Sequence, residues 1–149
     1  MSDAVVKAFG QAFHDLHERL REEVRGLDPG TLNWRPLPKA NSVAVLVTHT
    51  LGSELQMIRS VRSIPNERDR ESEFKVESDA QRLLEMIDAA DREMGEQIAA
   101  LTAEDLTELR PRGDRPPQPG LFWLATNYGH AREHLAQIEL TKQLYDSRT

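Results

Sequence analysis

The chain has 149 residues and no cysteine, and its 25 acids against 19 lysines and arginines give a net charge of −6. That length suits one domain, residues 1–149, whose core needs neither disulfides nor a structural metal. The missing cysteines exclude disulfides, thiolate ligands and a protein thiol nucleophile, and the interspersed acidic charge excludes a broad nucleic-acid surface.

The first residues, "MSDAVVKAFGQAFHDL", carry acids and no continuous apolar run, so they do not read as a secretory signal. The longest apolar run, "SVAVLV", is far short of the roughly 20 residues of a membrane span. A soluble, cytoplasmic protein with no membrane partner is the expectation.

The first predicted helix covers Asp3 to Arg25. Val6, Phe9, Phe13, Leu16, Leu20 and Val24 recur at spacings of three and four, which is one amphipathic stripe, and Gly26 supplies a stop. His14 and His17 also lie on this helix. Both read as surface or rim residues, with His17 the better placed to line a pocket. In "LDPGTLNWRPLPKAN", Asp28-Pro29 can open a single helical turn, with Asp as cap and Pro in the first position.

Asn41 or Ser42 caps the second predicted helix, which runs to about Arg62 before Pro65-Asn66 ends it. The run "NERDRESEFK" alternates in sign and reads as a solvated loop. Ser78 or Asp79 opens a third helix with the stripe Leu83, Ile87, Ala90, Met94 and Ile98. The proline-rich "PRGDRPPQPG" cannot be helix interior and reads as a connector. The last helix spans about Leu121 to Tyr145. No segment shows a clear period of two, so the prediction contains no strand. Four long helices joined by loops make an all-α antiparallel four-helix bundle the economical fold. A short echo links "LDPGTLNWRP" with "LTAEDLTELRP": each combines a capping residue, two leucines and Arg-Pro, and each precedes a helix that carries histidine.

On the last helix, Trp123, Asn127, His130, His134, Ile138, Thr141 and Tyr145 form one stripe. His130 and His134 are one turn apart on that face and can converge on one ion. On the second helix, His49 lies in a stripe with Val45, Gly52 and Gln56, where Gly52 leaves room beside the imidazole. If these two helices are neighbours, three imidazoles can meet, which is a ligand set that leaves a catalytic metal one open position. The alternative is that each histidine is a core residue hydrogen-bonded to backbone. Asn127, Glu54, Gln56 and Gln137 are candidates to orient the imidazoles. Trp123 and Gly52 would border the pocket, with Trp34 and Trp123 read as core anchors in preference to substrate platforms.

"LNWRPLPKANSVAVLVTHTLGSE" and "GHAREHLAQIELTKQL" resemble the DinB/YfiT-like metalloenzyme superfamily, in which a Trp-Arg-Pro loop leads into a histidine-bearing helix and the last helix carries H-x-x-x-H. The match covers residues 27–54 and 121–144. The resemblance implies an up-down-down-up bundle, a divalent ion (zinc or nickel) on His49, His130 and His134, and frequent homodimers. It also implies a small-molecule substrate, because relatives include transferases and isomerases that use an external low-molecular-weight thiol. A metal-dependent hydrolase and a non-catalytic metal-binding or stress-related bundle are the alternatives.

Overall fold

The computed structural model describes residues 2–148, with side chains from residue 3. Four long helices carry the fold: α1 (Ser2–Val24), α3 (Val43–Val61), α5 (Ala80–Ala99) and α7 (Gly120–Asp146). Three single-turn helices lie between them: α2 (Pro29–Asn33), α4 (Arg70–Glu73) and α6 (Ala103–Thr107). A hairpin of β1 (Leu109–Arg112) and β2 (Arg115–Pro119) precedes α7. The helix α1 packs against α5, and α3 packs between α5 and α7. No helix among the described residues is long and apolar enough to cross a membrane.

Local chemistry sets the boundaries. Ser42 Oγ accepts from the Val45 amide at 3.1 Å and starts α3. Asp79 accepts from the Arg82 amide at 2.9 Å and starts α5. Each removes an otherwise orphaned donor from a first helical turn. Gly26, with φ +79°, ends α1 in the left-handed region that glycine enters without steric cost. The echoed segments form α2 and α6, capped by Asp28 and Thr102.

The hairpin corrects the expectation of a strandless connector. Its strands pair antiparallel, with Leu109 opposite Pro119 and Arg112 opposite Arg115. A two-stranded ribbon leaves every strand with a free edge, so its prolines forfeit no bond inside a larger sheet. Gly113, with φ +62°, makes the turn. Gly120 is needed for a different reason: a Cβ there would lie 2.0 Å from the Asp105 carbonyl oxygen. The start of α7 therefore rests directly on α6.

Apolar side chains form two clusters. One joins Leu16, Leu20, Val47, Leu51, Leu83 and Ile138; the other joins Phe13, Met57, Ile58, Met94, Ile98 and Trp123. Val43, Leu46, Val47, Leu51 and Ile58 are all buried in these clusters. Their apolar surface is therefore spent inside the chain and is not free for self-association.

Between the clusters runs a polar layer with one residue from each long helix: His17, Glu54, Asp91 and Asn127. His17 is fully buried, not at a rim. Its Nε2 lies 2.6 Å from Glu54 Oε2 and its Nδ1 lies 2.7 Å from Asp91 Oδ1. Burial alone would lower the His17 pKa, but the two carboxylates outweigh it and hold the group above its ordinary value. The imidazolium is thereby sandwiched between acids, one of which, Asp91, also accepts from His14 and Arg21. Burial raises the Glu54 pKa against the opposing pull of His17.

The sign of the resulting pH dependence follows from linkage. Folded His17 keeps its proton to a higher pH than the unfolded chain does. Its stabilisation is complete below about pH 6.5, the unperturbed value, and is lost as pH rises through the raised folded value. The raised Glu54 pKa acts in the same direction, whereas Asp91, held low, loses its contribution only in acid. His17→Leu is expected to cost about 3 kcal/mol or more at about pH 6, by leaving Glu54 buried without its counter-charge, and less at about pH 8.5, the two values bracketing the histidine range. Urea unfolding of variant and wild type is compared at each pH, because the lowered pKa values of His49 and His134 give the wild-type curve a component of opposite slope. A cost that grows between the two pH values would refute the assignment.

Candidate metal centre

The sequence spacing of His130 and His134 becomes geometry on α7. Their Nε2 atoms are 3.0 Å apart, and their ring centroids are 4.3 Å apart. Because α3 packs on α7, His49 reaches the same point, with its ring centroid 4.9 Å from that of His134. One nitrogen from each of the three lies within 4.8 Å of the others. His49 and His134 are both 8% exposed, so two of these groups are nearly withdrawn from water. His17 belongs to the polar layer and His14 lies exposed beside Asp91, so neither joins this cluster.

The other ring nitrogens decide which atoms converge. His49 Nδ1 lies 3.0 Å from Glu73 Oε1. The Arg68 Nη2 atom is 3.2 Å from the same nitrogen, but its protons have better acceptors on Glu73, at 2.8 Å. The His49 Nδ1–H therefore donates to Glu73, and Nε2 carries the lone pair. His134 Nδ1 likewise donates to Gln137 Oε1 at 3.0 Å, and His130 Nδ1 faces the Glu133 carboxylate at 3.4 Å. Three imidazoles thus turn Nε2 lone pairs toward one point. The 3.0 Å approach of the two Nε2 atoms on α7 suits either an N–H···N hydrogen bond from His130 or two lone pairs sharing a cation. A tetrahedral zinc held at roughly 2.0–2.1 Å by each nitrogen would space neighbouring ligands about 3.3 Å apart, close to the spacing on α7. The donor set therefore fits a divalent ion, and imidazole suits zinc, nickel, copper and iron alike.

Burial lowers the pKa of His49, opposed by Glu73 and reinforced by His134 and Arg68. Burial also lowers that of His134, with Gln137 opposing and His130 reinforcing. Both shifts favour the neutral, ligating form.

Glu73 was hidden in the sequence. It ends α4 inside the charged run that reads as solvated loop, yet it is 6% exposed. Arg68 donates to both Glu73 oxygens, through Nε at 2.9 Å and Nη2 at 2.8 Å, and to Gln56 through Nη1 at 2.9 Å. Gly52 also has a different part from the one expected. The room beside the imidazole is occupied by Glu73: a Cβ on Gly52 would lie 2.0 Å from Glu73 Oε2. Gln56 serves Arg68 and no imidazole. Glu54 serves His17, one helical turn away. Asn127 donates to Ser53 Oγ at 3.1 Å and contacts no imidazole. Trp123 belongs to the second apolar cluster and donates its Nε1–H to the Arg110 carbonyl at 2.8 Å. Trp34 is half-buried against Tyr145, outside both clusters.

His49 and His130 line a cleft of about 550 Å³, which is of ligand-binding size. Its walls come from α3, the loop before α4 and the hairpin. They present Arg68, Arg70, Arg112 and Arg115, with Asp114 the sole acid among the lining residues.

A mostly helical fold that brings three imidazoles together, two of them lining a cleft, defines a class of helical proteins that could hold a divalent ion. Within that class the chain belongs to the DinB superfamily, whose family model matches residues 12–138. A protein from Enterococcus faecalis shares the fold with a TM-score of 0.79 at 18% identity, over 95% of this chain and 97% of that one. A DinB-like protein from Bacillus cereus does so with a TM-score of 0.77 at 18% identity, over 94% and 92% of the two chains. A sibling lethal factor precursor does so with a TM-score of 0.73 at 18% identity, over 97% and 98%. No curated protein matches the sequence.

Metal content of tag-free protein tests the ligand set. His49→Ala, His130→Ala and His134→Ala are each expected to abolish tight binding, and His14→Ala to leave it intact. Glu73→Gln and Gly52→Ala, which remove or displace the partner of His49 Nδ1, should weaken affinity about 10- to 100-fold. Affinity should persist somewhat below pH of about 6.5 and then fall in acid, because His49 and His134 are held neutral there. Retention of the ion by His49→Ala would remove that residue from the set.

Proposed function

We propose that this chain is a divalent-metal-dependent enzyme of the DinB type, acting as an S-transferase with an external low-molecular-weight thiol. The observation that carries the reading is the convergence of three imidazole nitrogens at the inner end of an open cleft. When bound there, a zinc or nickel ion would stabilise a thiolate and so supply the nucleophile at neutral pH.

The chain's own residues divide the remaining work. Glu73 and Gln137 fix the proton of each buried imidazole on Nδ1, so that Nε2 faces inward. Arg68 donates to both Glu73 oxygens and holds the carboxylate in place as an acceptor. The arginine walls favour an anionic nucleophile over a neutral one. The thiol must come from outside, because the chain has no cysteine.

The lining also favours transfer over hydrolysis. Helical metal hydrolases pair the ion with a carboxylate base, as the glutamate of H-E-x-x-H does. Here the intervening residues are Ala131, Arg132 and Glu133, and Glu133 turns toward the outer nitrogen of His130. Glu73 is likewise committed to an outer nitrogen. No general base is assigned.

The reading takes the four long helices as the up-down-down-up bundle of the family, in a cytoplasmic homodimer. Exposed Leu140, Leu144, Leu121 and Phe122 lie on α7, away from the buried clusters, and offer apolar surface for a second copy. Light scattering at micromolar concentration is expected to give twice the mass of one chain; a single-chain mass would remove the dimer.

The activity is tested with metal-loaded protein, a bimane electrophile, and glutathione, mycothiol and bacillithiol in turn. One thiol is expected to be conjugated faster than in solution, and His130→Ala should return the rate to the uncatalysed level. Loaded protein that accelerates none of the three reactions, but hydrolyses esters, would favour the hydrolase; loaded protein inert in both assays would favour the binding protein.

A further inference from the structure

The hairpin places two arginines on one face, at Arg110 and Arg112, and only one of them finds an acid. Arg110 pairs with Asp105 at 3.3 Å and donates to the Val61 carbonyl at 3.0 Å. Arg112 is 7% exposed and hydrogen-bonds only to Ser53, through Nη2 to Oγ at 2.8 Å and to the carbonyl at 3.3 Å. Among the described residues no carboxylate lies within ion-pair distance of it. Its neighbours add charge of the same sign, since Arg115 faces it across the hairpin and Arg68 lies on the opposite wall. Burial, reinforced by Arg115 and Arg68, lowers the Arg112 pKa to about 10, so the group is still a cation at neutral pH.

A buried guanidinium without a counter-charge is costly, and its five donors form a fork that matches a carboxylate or phosphate. Arg112 lines the same cleft as His49 and His130, and its guanidinium and that of Arg115 lie 5.8 Å and 6.0 Å from the Trp123 ring. At those distances the ring attracts both cations without using their N–H donors. We propose that Arg112, assisted by Arg115, seats the carboxylate or phosphate of a small anionic substrate whose other end extends toward the three histidines. The proposal rests on the metal-site reading for the direction of the substrate, and on Arg112 alone for its charge.

Two probes separate the sources of the anion: succinate for carboxylates and inorganic phosphate for phosphoryl groups. Each is titrated into the full-length chain after chelation of metal, with binding followed by isothermal titration calorimetry. Saturable binding of at least one probe is expected. Arg112→Gln should weaken it about tenfold or more, as expected for charge-assisted hydrogen bonds. Arg115→Gln should weaken it about threefold, as befits an exposed charge. The tighter probe identifies the substrate's anionic group. Binding that is absent for both probes, or equal in wild type and Arg112→Gln, overturns the proposal. If Arg112→Gln fails to fold, equal binding in Arg115→Gln overturns it instead.

Metal content is read separately. Arg112→Gln should hold as much zinc as wild type, while metal-free His49→Ala should bind the probe as wild type does. Loss of zinc binding by the wild-type chain would defeat the proposed function and leave the anion seat standing.

Discussion

Glu73 must lie against α3 at Gly52, and the candidate metal centre depends on that single approach. The Glu73 carboxylate occupies the place where any larger residue would put its Cβ, 2.0 Å from Oε2. From there it accepts from His49 Nδ1 and fixes which imidazole nitrogen faces the other two. Arg68 then closes the arrangement from the far side by donating to both carboxylate oxygens. Removing either charge would leave the other buried and unpaired, so the loop before α4 is tied to α3 by electrostatics more than by apolar contact. Glycine in a helix interior costs about 1 kcal/mol relative to alanine. At position 52 that cost is offset by the close approach it permits.

Of the five histidines three are buried, in environments of two kinds. His17 sits between two carboxylates, which favour its charged form. His49 and His134 face their ring partners and a cationic wall, and burial favours their neutral form. The difference follows from what surrounds each ring and not from helix position, since all of these lie on inward faces. One helical turn on α3 separates the two environments: Glu54 looks toward α1 and α5, while His49 and Ser53 look toward α7. Asn127, which donates to Ser53, bridges them on α7. The polar layer therefore fixes how α1, α3 and α5 stack, and that stacking presents α3 and α7 to each other at the site.

Much of the architecture was legible because its signals are local. The Ser42 and Asp79 caps, the Asp28-Pro29 turn and the Leu83-to-Ile98 stripe each act within a few residues. The meeting of His49 with His130 and His134 was legible only as a condition, that two helices be neighbours. The hairpin was not legible. Its strands are polar on both faces and rich in proline, so no period of two arises; Trp123 and Asp105, which anchor it, come from other elements. Glu73 was invisible for a related reason. Alternating charge marks a solvated run unless one member finds a distant partner, and His49 is 24 residues away. His17 was misplaced at a rim because the spacing on α1 cannot reveal that α3 and α5 each turn a carboxylate toward it.

Charge balance links the centre to its cleft. Three neutral imidazoles leave the full double charge of a bound cation uncompensated. The nearest carboxylates, Glu73 and Glu133, spend their charge on the outer nitrogens of His49 and His130. In the walls, Arg112 and Arg115 add positive charge that no acid among the described residues pairs, while Asp114 is the sole acid among the lining residues. Positive potential therefore accumulates from the floor of the cleft to its rim, in a protein whose net charge is −6. Such local inversion draws anions inward against the overall field and strengthens as water is displaced from between the charges. A thiolate at the floor and a carboxylate or phosphate at Arg112 would compensate the two excesses at once. That is the physical reason to look for two separated negative charges on any ligand of this cleft.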